Sequence, residues 1–354
     1  VTVKQDPRGT GFIETGVDFA GDSDSSSIDL RLAYLKTDID DLGSEFRTLV
    51  QVGENQALLV ELYKPLEETL KLIALPRLVA ERQTVAIFDE GGNKTSEVQI
   101  EQLGGSLALG REFWRHAALF AGVRRFTGDT EVEVGAPQAN ENFEGGEFFV
   151  NMNWDRLDDR YFPNSGTFAR TEYLTSRGSL GASESFEQLD ASALSAATWG
   201  RHTLLVGARY GTTFDGDAPV QSLFRAGGLF RLSGFQPDEI SGSHFGMAFM
   251  GYRVRLFEQG FLPPYVGATV EYGNATDERD DIWEKGIFNG SAYVGFDSPL
   301  GPLYAGYGFA EGGKRGLLSA HRHSARTNLD RTLNPVVVGH RLAAGSIRTL
   351  RRTP

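Results

Sequence analysis

The chain has 354 residues, no cysteine, 43 glycines and a formal charge of -12. These values exclude disulfides, thiolate catalysis and thiolate metal sites, and they argue against nucleic acid as the main partner. No run of about 18 apolar residues occurs, so no transmembrane helix is expected, but alternating barrel strands of about 9–11 residues escape that test.

Val1-Thr-Val-Lys-Gln-Asp-Pro7 has no long apolar core. Residues 1–9 therefore read as a linker from an upstream region, and the chain as a mature form or a fragment. From Phe12 to Phe309, alternating segments follow one another without a helix-period segment to interrupt them. Strands are predicted at 10–20, 26–37, 43–53, 57–63, 71–88, 94–110, 116–127, 145–156, 166–177, 186–199, 202–214, 245–257, 264–273, 287–297 and 301–310. Closure of a bacterial single-chain barrel usually needs an even number, so one more strand is expected after Gly313.

The alternation decides the class. Ser27–Tyr34 places Ile28, Leu30, Leu32 and Tyr34 on one face and Ser27, Asp29, Arg31 and Ala33 on the other. Glu147–Asp155 and Ala248–Leu256 repeat the pattern. Successive strand side chains point to opposite faces. An apolar face with interspersed Trp, Tyr and Phe, set against one of Arg, Glu, Asp and Gly, suits a transmembrane antiparallel β-barrel with lipid outside and a polar lumen. Leu30, Leu32, Val150, Met152, Ala268, Val270, Ala292 and Val294 are expected to face lipid. Polar, often long connections, such as 127–145, 215–244 and 273–286, alternate with mostly shorter ones, such as 157–165 and 298–301. Long extracellular loops and short periplasmic turns produce that parity, which puts the N-terminus in the periplasm.

The end of the chain breaks the pattern. After Phe309 there is no Phe, Tyr or Trp, and residues 314–354 hold nine Lys/Arg and one acid, Asp330. The barrel is thus expected over 10–313, followed by a basic tail. Two readings of that tail stay open: a frameshifted 3′ end, or a genuine basic extension resting on an acidic surface or phosphates. The first predicts a poorly paired seam next to Phe12–Phe19.

Catalytic chemistry is sparse. Gly-x-Ser-x-Gly, the nucleophile elbow, does not occur, so no enzyme is expected within the chain. His321 and His323 have metal-compatible spacing but no further ligands, and the acidic run Asp277–Asp281 reads as a solvated loop. No metal or cofactor is expected.

Three segments carry more than periodicity: Trp154-Asp-Arg-Leu-Asp-Asp-Arg-Tyr-Phe-Pro-Asn-Ser-Gly166, Gly227-Gly-Leu-Phe-Arg-Leu-Ser-Gly-Phe235 and Asp297-Ser-Pro-Leu-Gly-Pro-Leu303. Together they resemble the outer-membrane assembly-factor superfamily, also called bacterial surface antigen barrels. That group includes the barrel assembly machinery's central subunit, two-partner-secretion transporters and patatin-like (type Vd) autotransporters. The resemblance spans roughly Gly9 to Gly313 and implies 16 strands, with the long loop folded back into the lumen. Its tip is usually an aliphatic residue, Arg, Gly and an aromatic. Here Leu232-Ser233-Gly234-Phe235 stand there, so Ser233 replaces the arginine and Arg231 lies two positions earlier. The Arg-Leu-Ser-Gly-Phe form is most similar to the patatin-like branch.

The residues themselves agree. Gly227, Gly228 and Gly234 permit positive φ and close backbone approach. Phe230 and Phe235 could plug against the wall. Arg231 in a partly dry lumen needs acceptors, with Glu271 and Asp297 the candidate wall partners. Asp155, Asp158, Asp159 and Gly166 read as turn formers around extended Phe162-Pro163, a structural periplasmic turn. The expected function is a Gram-negative outer-membrane barrel that anchors, secretes or displays an upstream passenger, a patatin-like lipase. The alternatives are an assembly factor or a passive porin. Expected partners are the lipid bilayer, lipopolysaccharide, the upstream passenger and, during insertion, the barrel assembly machinery. Pairing with a second copy stays open.

Overall fold

The computed structural model describes residues 10–21, 26–67, 72–89, 91–113, 116–134, 141–257, 263–298, 301–313 and 315–321. Its strands are β1 (Gly11–Gly21), β2 (Ser26–Lys36), β3 (Glu45–Gly53), β4 (Gln56–Pro65), β5 (Ile73–Phe88), β6 (Lys94–Phe113), β7 (Ala117–Val134), β8 (Glu141–Asp155), β9 (Gly166–Ser176), β10 (Phe186–Trp199), β11 (His202–Asp215), β12 (Phe224–Ala226), β13 (Ile240–Gly242), β14 (His244–Arg255), β15 (Pro264–Thr276), β16 (Ile287–Ser298), β17 (Gly301–Ala310) and β18 (Arg315–His321). All but β12 and β13 close into one antiparallel barrel of 16 strands; those two form a separate ribbon inside the β11–β14 loop. The strand expected after Gly313 is β18, which pairs with β17 over seven residues. The rest of the basic tail, with His323, lies outside the described residues.

Among the described residues, β1 and β18 meet at Ala20↔Ala320 and Gly21↔Ser319, which closes the ring. No helix among the described residues is long and apolar enough to cross a membrane. This barrel crosses with strands, because only a closed ladder satisfies its backbone groups in lipid.

The faces follow the alternation. Leu30, Leu32, Met152 and Val270 are all at least half exposed on the outside. Ala268, Ala292 and Val294 are exposed too, and Val150 is half-buried. Asp29, Glu61, Arg77, Arg124, Glu147, Asn151 and Glu172 are buried on the inside. There Arg77 pairs with Glu61, and Arg124 bonds Glu147 at 2.8 Å and Glu172 at 3.5 Å. The pairing of these inward charges offsets the cost of their burial.

One expectation fails. Residues 127–145 were read as a long loop, but β7 runs to Val134 and β8 starts at Glu141. The physical reason is an inversion of polarity along these strands. On β6, outward Leu103, Leu107 and Leu109 give way to outward Glu97, Gln99 and Glu101. On the inward face, Val98 and Ile100 are buried with Val85 and Phe143. Strands β5 to β8 therefore leave the bilayer near residue 102 of β6 and continue with an apolar interior and a polar exterior. The eight residues 94–101 reach about 26 Å along the strand at roughly 3.3 Å each.

Candidate functional site: the loop inside the barrel

The β11–β14 connection enters the lumen as the β12–β13 ribbon and turns at residues 227–238. Local chemistry makes that turn. Gly227 (φ 119°) and Gly228 (φ 90°) occupy left-handed backbone. A Cβ on Gly227 would stand 1.8 Å from the Gln236 carbonyl oxygen, so only glycine fits. The Gly227 amide donates to the Arg231 carbonyl at 2.7 Å, and the Gly228 amide to that of Phe235 at 2.9 Å. Phe230, Leu232 and Asp238 also lie at φ of 67°, 68° and 61°. Each such non-glycine position carries strain of about 1–3 kcal/mol, held by its surroundings.

The tip is anchored on one carboxylate. Glu271, 1 % exposed on the inward face of β15, accepts the amides of Leu232 at 2.7 Å and Ser233 at 2.9 Å through Oε2. Its Oε1 accepts the hydroxyls of Ser233 and Thr269, each at 2.6 Å. The Gly234 amide reaches Asn289 Oδ1 on β16 at 3.3 Å. A Cβ on Gly234 would sit 2.3 Å from Ala310 on β17, so the tip lies directly on the wall. Four charge-assisted bonds make Glu271 the strongest fixed acceptor the tip meets.

Glu271, one of the two expected wall partners, is thus engaged by Ser233 and two backbone amides. Ser233 stands where the family resemblance expects arginine. Arg231 sends Nη2 back to the Arg225 carbonyl on β12. Asp297 is exposed near the end of β16. Leu232, Phe235, Phe245, Met247, Ala275 and Ala310 share one apolar cluster, which seals the loop against β14, β15 and β17.

The turn motif at the opposite mouth also folds inward. Asp155, Asp158 and Asp159 act as turn formers through their carboxylates. Asp155 accepts the Leu157 amide at 3.1 Å, and Asp158 those of Asn164 and Ser165 at 2.8 and 2.9 Å. Asp159 accepts the amides of Tyr161 and Phe162 at 2.8 and 2.7 Å. Gly166 (φ 107°) closes the turn. Phe162 is 2 % exposed and stacks on Tyr265 with ring centroids 4.6 Å apart. The Pro163 carbonyl accepts Arg253 Nη2 at 2.5 Å.

The sequence reading missed Arg253, Tyr265, Tyr293 and Tyr304. A signal was present: Tyr265-Val-Gly267, Tyr293-Val-Gly295 and Tyr304-Ala-Gly306 repeat on three adjacent strands. Tyr293 lies opposite Gly267 and Gly306, and Tyr304 opposite Gly295. Each ring needs the missing side chain of its neighbour: a Cβ on Gly267 would stand 2.4 Å from the Tyr293 ring.

If the loop is seated as described, Phe235→Cys (7 % exposed) should react with a maleimide roughly 100-fold more slowly than Asp280→Cys on the exposed β15–β16 loop, because modification must await local opening. Comparable rates in the folded barrel would contradict the seating.

A 16-stranded barrel with its longest loop pinned to the inner wall narrows the comparison with known proteins. No curated protein sequence matches the chain. Among solved structures, BamA from Haemophilus ducreyi lacking POTRA domains 1-3 superposes with a TM-score of 0.70 at 12% identity, covering 88% of this chain and 70% of that one. CdiB from Escherichia coli gives 0.58 at 12% identity over 90% of this chain and 63% of that one. CdiB from Acinetobacter baumannii gives 0.54 at 12% identity over 88% and 60%. At such identity these likenesses concern the fold, and this chain spans less than two thirds of either CdiB. The family model of the Omp85 superfamily domain matches residues 77–316, which include the turn motif, the seated loop and its Glu271 anchor, and by that match the chain belongs to the Omp85 superfamily.

Proposed function

We propose that this chain is the outer-membrane barrel of a surface-secretion or display protein, and that it anchors an upstream passenger and helps it cross. The supporting observation is the seated loop. Glu271 holds the Leu232–Gly234 backbone across the wall, so the lumen is guarded rather than open, as suits a conduit that must admit a polypeptide without leaking. A passive porin would not need such a latch. The passenger reading rests further on the Arg231-Leu-Ser-Gly-Phe235 form, which is most similar to patatin-like autotransporters. The passenger is then a patatin-like lipase; lipopolysaccharide surrounds the extracellular rim, and the barrel assembly machinery inserts the chain.

Fusing a protease-sensitive reporter ahead of Val1, behind an export signal, tests this reading. Intact cells should show the reporter cleaved by added protease. A reporter that stays protected while the barrel folds would overturn it. The purified barrel should hydrolyse no ester substrate, since no serine lies in a nucleophile elbow; measurable hydrolysis would contradict the assignment of chemistry to the passenger.

A second reading, an assembly factor that inserts other barrels, draws on the superfamily match and on the fold shared with BamA from Haemophilus ducreyi. If vesicles carrying the barrel speed the folding of an unrelated outer-membrane protein, while the fused reporter stays inside, this second reading holds.

A further inference from the structure

We propose that the periplasmic turn at 156–165 and the lumen loop form one mechanical unit, joined through Tyr304, so that loosening the turn releases the loop tip. The turn does not stay beneath its own strands. It crosses the mouth as a strap: Thr198 on β10 donates to the Asn164 carbonyl at 2.7 Å, Arg253 on β14 to that of Pro163, and Tyr304 on β17 to that of Tyr161 at 3.0 Å. The loop descends from the other mouth. Phe230 meets Tyr293 and Tyr304 edge-on, with centroids 4.8 and 5.2 Å away. The Tyr304 ring therefore contacts Phe162 of the strap and Phe230 of the loop, each at 5.2 Å.

Three features make this joint responsive. First, it has no slack: a Cβ on Gly295 would lie 3.0 Å from the Tyr304 ring and 3.3 Å from that of Phe162. Close-packed interiors transmit displacement instead of absorbing it. Second, the strap's seat is incompletely satisfied. Arg253 is 2 % exposed, its guanidinium lies 5.4 Å over Phe162 and 5.2 Å over Tyr265, and its buried Nε has no hydrogen-bond partner among the described residues. A buried donor left open lowers the energy needed to leave that arrangement. Third, Phe230 and Leu232 hold left-handed backbone, strain that is relieved once the tip departs. Such an arrangement has two states, seated and released.

The test reads each end while perturbing the other, in the purified full chain, with folding confirmed by heat-modifiable migration. The chain contains no cysteine, so Gln236→Cys, half-buried beside Phe235, reports on the loop alone. Trypsin cleavage after exposed Arg160 reports on the strap. Phe162→Ala should raise maleimide labelling of Gln236→Cys about five- to tenfold, the worth of one aromatic pair. Tyr304→Phe keeps the packing and removes only the bond to Tyr161, and should raise it about two- to fivefold. In the reverse direction, Glu271→Gln should speed the cut after Arg160. If Phe162→Ala fails to fold, Tyr304→Phe and Gly295→Ala carry the test. Unchanged labelling in the strap variants, or an unchanged cut in Glu271→Gln, would show two independent elements and overturn the proposal. None of these readouts depends on a passenger, so they stand or fall separately from the secretion reading.

Discussion

Replacing Val150 by arginine is expected to destabilise the barrel by about 2–4 kcal/mol, the penalty for a cation near the middle of a lipid-facing strand. Val150 lies between outward Phe148 and Met152 on β8, the latter 53 % exposed. Its cross-strand neighbours are Ala121 on β7 and Tyr173 on β9. An arginine there stands between an alanine and a tyrosine and must snorkel to an interface. The control has to face the lumen. Asn151, adjacent in sequence, is 2 % exposed and tightly packed, so overpacking would confuse the comparison. Leu194, half-buried on the inward face of β10, is the better site. Leu194→Arg should cost less than about 1 kcal/mol, because the lumen already accommodates Arg31, Arg77 and Arg124. Urea titration of the barrel refolded in detergent measures both. Equal losses at the two sites would reverse or abolish the assigned orientation.

Removing the latch should have an effect of similar size but confined to the loop. Glu271→Ala strips the acceptor from four donors: the amides of Leu232 and Ser233 and the hydroxyls of Ser233 and Thr269. Buried donors left unpaired cost about 1–3 kcal/mol each, and breaking a buried charged contact typically costs about 3–5 kcal/mol in all. The strained backbone at Phe230 and Leu232 adds to the drive outward. The loop should therefore leave its seat while the strands remain paired. Single-channel recordings should show larger and longer openings than for the unmodified barrel, at unchanged heat-modifiable folding. Ser233→Ala retains both amide bonds to Glu271 but removes a hydroxyl that also accepts the Phe230 amide at 2.9 Å, so it should weaken the seat by about 1–3 kcal/mol, less than Glu271→Ala. A Glu271→Ala barrel as closed as the parent would show that the apolar cluster around Leu232 and Phe235 holds the loop by itself.

The aromatic joint explains why some of the site escaped the sequence. Phe162 was placed in a turn because Phe-Pro is extended and aspartates flank it, and that local chemistry is what forms the turn. Nothing local says that Phe162 points across the mouth to strands β15 and β17. That contact depends on where the curvature of a closed barrel brings residues 143 positions apart in sequence, as Tyr161 and Tyr304 are. The inward tyrosines were legible in principle as the repeated Tyr-x-Gly, since a large ring on a polar face needs a gap opposite. Recognising the gap requires the register, which pairs Tyr304 with Gly295. The same limit explains 127–145. Its acidic alternation reads as loop until the buried neighbours Val98, Ile100 and Phe143 reveal a strand wall standing clear of the lipid.

By itself, the sequence determined the class and the orientation of the wall. Period-two alternation puts apolar and aromatic residues on one face and charges on the other, because side chains on a strand have no third direction to point, and a barrel with lipid outside suits both faces. That the 215–244 loop turns inward was what the resemblance of its Gly227–Phe235 segment implied, and Gly227 and Gly228 agree with the tight backbone this needs. Tertiary structure alone decided what the loop touches. Glu271 is one of several inward acids, and it becomes the anchor because barrel closure brings it beneath the Leu232 and Ser233 amides. Closure likewise set where β1 meets β18, because the stagger between the first strand and the last is the sum of every register around the ring and is written in no single segment.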